Sequence, residues 1–267
     1  MKTSILNRVY AHYLESLNYF SENQIVGCFL QGSQNYKLDY ENSDVDTKLI
    51  VVPTLKEVCL NAKPVSSTHA RANSEHIDFK DIRLYIETFR KQNLNFLEIL
   101  FTDYLILPSL YAEQWSRLIA ERERVARMNP VRAVKSMKGI AMEKFHAMER
   151  RYPTKIDIID KFGYDGKQVS HLIRVENFLE HYINGEPYKD CIIPSSEIRD
   201  RLLAYKRQEI PLEEARVEAT ETLARVEAMA TAFSANRKEE EDQEMRELLN
   251  DVCYNIMKIS IEKELHA

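Results

Sequence analysis

Hydrophobic positions divide the chain into a first part that mixes two periods and a remainder that keeps to one. Leu6, Val9, Tyr10, Tyr13, Leu14 and Leu17 recur at three- and four-residue intervals, which predicts an opening helix. The apolar run from Ile25 to Leu30 predicts a strand over about Ile25 to Gln31. A second strand is expected from Asp44 through Lys48 to Val52, where Pro53 stops it, with a short helix near Leu55 to Leu60. Residues 63–73, rich in Ser, Thr and Pro, read as a loop. Residues 74–79 alternate, with Ile77 and Phe79 on one face and His76 and Asp78 on the other. Ile82, Tyr85, Ile86 and Phe89 then mark a helix, and residues 95–101 begin or continue another.

Beyond Pro108 only the helical period is found, with helices expected near 110–127, 131–150, 167–184, 195–206, 212–233 and 239–264. The pattern predicts an α+β chain with two domains: a small mixed sheet with flanking helices over residues 1–107, then a helical domain over 108–267 forming the opposite wall of a cleft. No apolar run approaches the roughly 18 to 20 residues that span a bilayer. Met1 to Arg8 lacks a signal-peptide core, so a cytoplasmic location and no membrane partner are expected. Cys28, Cys59, Cys191 and Cys253 form no Cys-x-x-Cys pair and read as reduced packing residues.

Net charge is −5, which argues against a protein that coats nucleic acid nonspecifically. The charge is uneven: residues 117–161 are rich in Arg and Lys, whereas 209–251 are acidic and include Glu239-Glu240-Glu241-Asp242. The basic stretch reads either as solvated helix faces or as a wall that attracts a polyanion.

The chemistry concentrates after the first strand. Gly32-Ser33 ends it, and ten residues on comes Ser43-Asp44-Val45-Asp46. Glycine lets the backbone approach an anion closely, while the serine hydroxyl and nearby N–H groups can hold phosphate oxygens. On an extended chain Asp44 and Asp46 share a face, and two adjacent carboxylates repel each other unless a cation lies between them. Oxygen-only ligands suit Mg²⁺ or Mn²⁺. Asp78, on its own strand, is a candidate third ligand, and three such carboxylates can hold two ions. Lys48 shares the Asp44/Asp46 face and reads as a solvated edge lysine or a triphosphate contact. His76 reads as a hydrogen-bonded neighbour of the site or a surface residue rather than a ligand.

Leu30-Gln31-Gly32-Ser33, Asp44-Val45-Asp46 and Ile77-Asp78-Phe79 together resemble the signature of the DNA polymerase β nucleotidyltransferase superfamily. Within it, Gly32-Ser33-Gln34-Asn35-Tyr36, Ser43-Asp44-Val45-Asp46-Thr47-Lys48 and residues 93–101 are similar to the RNA repair pathway DNA polymerase β family. That family also carries a Tyr-Asp-x-Lys-x-x-x-His-x-x-Arg segment, matched here by Tyr164-Asp165-Gly166-Lys167, His171 and Arg174. The likeness runs over about residues 25 to 210 and leaves the C-terminal helix uncovered.

The resemblance implies transfer of a nucleoside monophosphate from an NTP to a hydroxyl, with release of pyrophosphate and an RNA or tRNA end as acceptor. Asp44, Asp46 and Asp78 would be the catalytic metal ligands, and Gly32 and Ser33 would hold the triphosphate. Lys167, His171 and Arg174, at i, i+4 and i+7, would form a cationic face toward nucleotide or acceptor. Two other readings stay open: transfer to a small molecule or protein side chain, and a non-catalytic nucleotide-binding assembly protein. For the latter, the apolar face Leu248, Leu249, Val252, Ile256 and Ile259 offers a dimer seam or intramolecular core.

Overall fold

The computed structural model describes residues 2–40 and 43–266. Their contacts group the chain into two compact units: Met1–Asn35, Asp39–Asn129 and Glu241–Ala267 form the first, and Tyr36–Leu38 with Pro130–Glu240 the second. The division therefore falls at Asn129 rather than at the break expected near Pro108. The C-terminal helix returns to the first unit.

In the first unit, α1 (Lys2–Ser16) leads into β1 (Ile25–Gln31), which matches the expected strand residue for residue. β2 (Asp46–Val51) begins two residues later than expected, so Asp44 precedes the strand. After α2 (Leu55–Cys59), the stretch expected to be a loop contains β3 (Ser66–Ala70), followed by β4 (His76–Asp81). β3 is largely exposed and owes its strand form to antiparallel pairing with β4 rather than to burial. Then come α3 (Ile82–Arg90), α4 (Leu94–Leu97) with a 3₁₀ turn (Glu98–Leu100), β5 (Leu105–Ile106), α5 (Ser109–Ala120) and α6 (Arg122–Ala126).

The sheet order is β3-β4-β2-β1-β5, with β2 and β4 parallel and the other neighbours antiparallel. Parallel pairing requires a crossover, which α2 and β3 provide. One face of the sheet is apolar: Val9 and Tyr13 of α1 cover Cys28, Leu30, Leu49, Val51, Ile77 and Phe79. A bulge between Ile25 and Gly27 resets the alternation, so that Ile25 joins the same cluster. The opposite face of β2 and β4 carries Asp46, Lys48, His76 and Asp78, in the alternation read from the sequence.

The second unit is helical, with α7 (Pro130–Ala147), α8 (Ile156–Phe162), α9 (Gly166–Ile183), α10 (Tyr188–Ile192), α11 (Ser196–Lys206) and α12 (Leu212–Ala235). α9 is its centre and packs on α7, α10, α11 and α12, burying Val169, Leu172, Val175, Phe178 and Leu179. α8 and α10 fall outside the helical stretches expected from periodicity, being too short to show a period.

α13 (Gln243–Leu265) packs on α3 and α5 within the first unit. Of the face considered as a dimer seam, Leu249, Val252 and Ile256 are buried as intramolecular core, and Leu248 and Ile259 are half-buried. Among the described residues no helix is long and apolar enough to cross a membrane.

Candidate functional site

The sequence at the end of β1 enforces a sharp turn. Gly32 has φ 90°, a conformation costly for any residue with a Cβ. Three side chains hold the turn: Asn35 Nδ2 donates to Leu30 O (3.0 Å), Thr102 Oγ1 donates to Asn35 Oδ1 (2.8 Å), and Gln34 Nε2 donates to the Asp44 carbonyl (2.6 Å). The last bond ties the Gly32-Ser33 turn to the acidic segment directly. The Gly32 N–H donates to Oε1 of the buried Glu98 (3.3 Å), while the Ser33 hydroxyl has no partner among the described residues.

Asp44, Asp46 and Asp78 lie in the same unit but in different electrostatic settings. Asp44 is exposed, and its carboxylate meets no donor among the described residues. Asp46 Oδ1 accepts from the His76 N–H (2.8 Å) and approaches His76 Nδ1 (3.3 Å), while Oδ2 meets no donor among the described residues. Burial raises the Asp46 pKa and the charge of Asp44 adds to this, against the opposing pull of His76. Asp78 differs: Thr68 Oγ1 donates to its Oδ1 (2.6 Å), Gln31 Nε2 donates to its Oδ2 (3.1 Å), and Lys48 Nζ is 3.8 Å from Oδ2. Among the described residues no three His, Cys, Asp or Glu side chains form a group able to hold a metal ion. The expected cluster of three carboxylates is therefore not assembled in this arrangement. Of these three, only the Asp44 carboxylate and Asp46 Oδ2 accept no hydrogen bond among the described residues, and these oxygens could meet a small oxygen-seeking cation that completes its shell from phosphate and water.

Lys48 is not the solvated edge lysine expected. Its side chain is only 7% exposed and its ammonium lies 4.3 Å from the centre of the Phe96 ring. Lys80 reaches the same ring at 5.0 Å. Together with Asp78, Tyr85 and the hydroxyl-bearing β3, these residues line a cleft of about 170 Å³. Asp81, the last residue of β4, is structural: it caps α3 by accepting from the Arg83 N–H (2.8 Å) and pairs with the Arg83 guanidinium.

Sequence reasoning missed the network behind the acidic segment. Glu75 is fully buried, and its two oxygens accept from Arg8 Nε (2.6 Å), His12 Nε2 (2.9 Å), Arg71 Nη1 (2.6 Å), Asn73 Nδ2 (2.7 Å) and the Val45 N–H (3.3 Å). Arg8 also donates to Ser43 O (3.4 Å), and His12 Nδ1 meets Thr47 Oγ1 (2.9 Å). Residues 43, 45 and 47 are thus pinned from the α1 side, which fixes where 44 and 46 project. Burial lowers the His12 pKa despite Glu75, so the ring is neutral at pH 7; Nε2 carries the proton toward Glu75, and Nδ1 accepts from Thr47. Burial alone would raise the Glu75 pKa, but the hydrogen bonds from His12, Asn73 and Arg8 overcome it and hold the carboxyl at about 2. No local motif announces these residues. Their pairing arises only when α1 is laid on the sheet.

Lys167, His171 and Arg174 stand on α9, in the second unit. They are not a uniform cationic face. Lys167 is exposed, whereas Arg174 is 3% exposed, stacks at 3.8 Å on Tyr36 and donates to His171 Nε2, with Nη1 unpartnered among the described residues. Burial, then the charges of Arg174 and Lys144, push the His171 pKa well below its ordinary value, so His171 is neutral at pH 7.

The basic stretch is largely answered within the chain. Arg124 pairs with Asp242 and Glu244, Arg132 and Lys135 share Glu239, and Lys138 reaches Glu227. The acidic run near 239–242 thus neutralises part of the wall considered for a polyanion. The chain matches no protein-family model and no curated protein.

Proposed function

We propose that this chain is a nucleotidyltransferase that moves a nucleoside monophosphate from an NTP to a hydroxyl, releasing pyrophosphate. The observation that carries the reading is that the Asp44 carboxylate and Asp46 Oδ2 accept no hydrogen bond among the described residues, in a segment whose Asp44 backbone carbonyl accepts from Gln34 of the positive-φ turn at Gly32-Ser33. A turn that admits phosphate oxygens beside carboxylates that call for a cation is the requirement of phosphoryl transfer. Asp44 and Asp46 would hold Mg²⁺ or Mn²⁺, which supplies charge neutralisation for the triphosphate when bound. Gly32 and Ser33 orient the phosphates. The acceptor oxygen forms its bond to the α-phosphorus as the bond to the β-phosphate oxygen breaks, and Asp78 takes the acceptor proton.

Resemblance to the RNA repair pathway family favours an RNA or tRNA end as acceptor. The internal neutralisation of the basic stretch favours a second reading, a small molecule or protein side chain. Incubation with each α-labelled NTP, Mn²⁺ and total RNA tests the proposal beside the Asp44→Ala/Asp46→Ala variant. Label should reach an acceptor only with the unaltered chain. Transfer that survives in the variant refutes the assignment.

A further inference from the structure

We propose that the cleft beside Asp78 receives the acceptor, and that Lys48 and Lys80 hold there a phosphate group which the acceptor carries. The acceptor class is then a sugar phosphate, free or as the end of an RNA. This rests on the reading of Asp78 as the group that takes the acceptor proton.

The placement of the cleft carries the first half of the inference. In the sheet order β3-β4-β2-β1-β5 the Gly32-Ser33 turn follows β1, whereas the cleft is lined from β2, β4 and β3. Asp78 stands between the two: Gln31 of β1 donates to its Oδ2, and Thr68 of β3 donates to its Oδ1. An acceptor hydroxyl that reaches Asp78 from the side away from the turn therefore lies in this cleft. The room there, about 170 Å³, is that of a single small ring, since a cavity of about 150 Å³ admits benzene.

Lys48 carries the second half. Its side chain is 7% exposed, and its ammonium lines the cleft without a hydrogen-bond acceptor among the described residues. Asp78 Oδ2, at 3.8 Å, attracts it from beyond hydrogen-bond distance, and Phe96 offers only a ring face at 4.3 Å. A buried ammonium with its donors unmade is costly, and oxygens brought by a ligand relieve that cost. Lys80, on the same ring, adds a second charge and donates to Ser66 Oγ (3.2 Å), which also lines the cleft. Two ammonium groups beside serine and threonine hydroxyls suit phosphate oxygens. A neutral alcohol would leave Lys48 unsatisfied, so the cleft should select the phosphorylated form. The Asp78 carboxylate opposes an anion here, which gives the site a signature that packing alone lacks.

Calorimetric titration of the full chain with inorganic phosphate, without nucleotide or metal, tests this. Two charge-assisted contacts support one-to-one binding with a Kd of about 1 mM or tighter. Lys48→Met and Lys80→Met, which keep apolar stems on Phe96, should each weaken binding by about 10-fold or more, whereas Asp78→Asn should tighten it by about 10-fold. Ribose 5-phosphate should displace the bound phosphate and ribose should not. Displacement by a short RNA as well assigns the RNA end, and its failure assigns the free sugar phosphate. Absence of saturable binding, equal affinity in the parent and both lysine variants, or ribose 5-phosphate that does not compete overturns the proposal. So does displacement of phosphate by ATP with Mg²⁺, which would give the cleft to the nucleotide. Intact phosphate binding with no label passing from any NTP to any acceptor defeats the transferase reading itself, an outcome distinct from loss of the anion site.

Discussion

Glu75→Gln removes the charge at the centre of the network behind the acidic segment while keeping its shape. The wild-type carboxylate is 1% exposed at its side chain and is surrounded by donors from Arg8, His12, Arg71, Asn73 and Val45. Two routes give the size of the effect. Depression of the carboxyl pKa from 4.5 to about 2 corresponds to about 3 kcal/mol of native stabilisation at neutral pH. Removing one partner of a buried ion pair costs about 3–5 kcal/mol by analogy with other buried pairs.

The sign follows from the depressed value: the contribution is complete above the unfolded pKa and is lost as pH falls through the folded one. The glutamine variant should therefore be less stable by about 3 kcal/mol at pH 7, and its deficit should shrink to less than half near pH 3. Urea unfolding of both proteins at the two pH values measures this. A deficit under about 1 kcal/mol at pH 7, or one that does not shrink in acid, refutes the electrostatic role given to Glu75.

Two further substitutions probe the turn and the buried arginine. Gly32→Ala meets no atom within 4 Å of the added methyl, so its cost is confined to the backbone at φ 90°; it should lower stability by about 1–2 kcal/mol and raise the KM for NTP, and a variant that melts and binds like the parent refutes the turn's importance. Arg174→Met removes a guanidinium that is buried with one nitrogen unpartnered among the described residues; it should raise stability by about 1–2 kcal/mol in urea unfolding, and a loss of stability would show that the contacts to Tyr36 and His171 outweigh the cost of the buried charge.

What the sequence revealed depended on whether a residue's role was local. β1 was legible to the residue because a strand buried on both faces is apolar throughout, and β4 because its alternation is strict. β3 was not, since Ser66-Ser67-Thr68 has the composition of a loop and becomes a strand only through its partner. Lys48 was misjudged for the same reason: its burial comes from Phe96 and Asp78, some 30 to 50 positions later in the chain. The charge asymmetry was visible, but not that Arg124, Arg132 and Lys135 would meet the acidic run. Asp44 and Asp46 stood out because the repulsion between neighbouring carboxylates is a sequence-level fact. Glu75 and His12 did not, because nothing near either residue hints at the other.

The return of α13 to the first unit sets an order of events during synthesis. Domains generally fold as they emerge, beginning with the N-terminal one. Here the surfaces of α3 and α5 that α13 covers stay open until α13 has left the ribosome, while the whole of α7 to α12 is made in between. The helical unit, although later in sequence, can complete its core first once Tyr36–Leu38 is in place. The unit carrying Asp44 and Asp46 then closes after the helical one, so a chain truncated before α13 yields a finished helical body and an unfinished sheet unit.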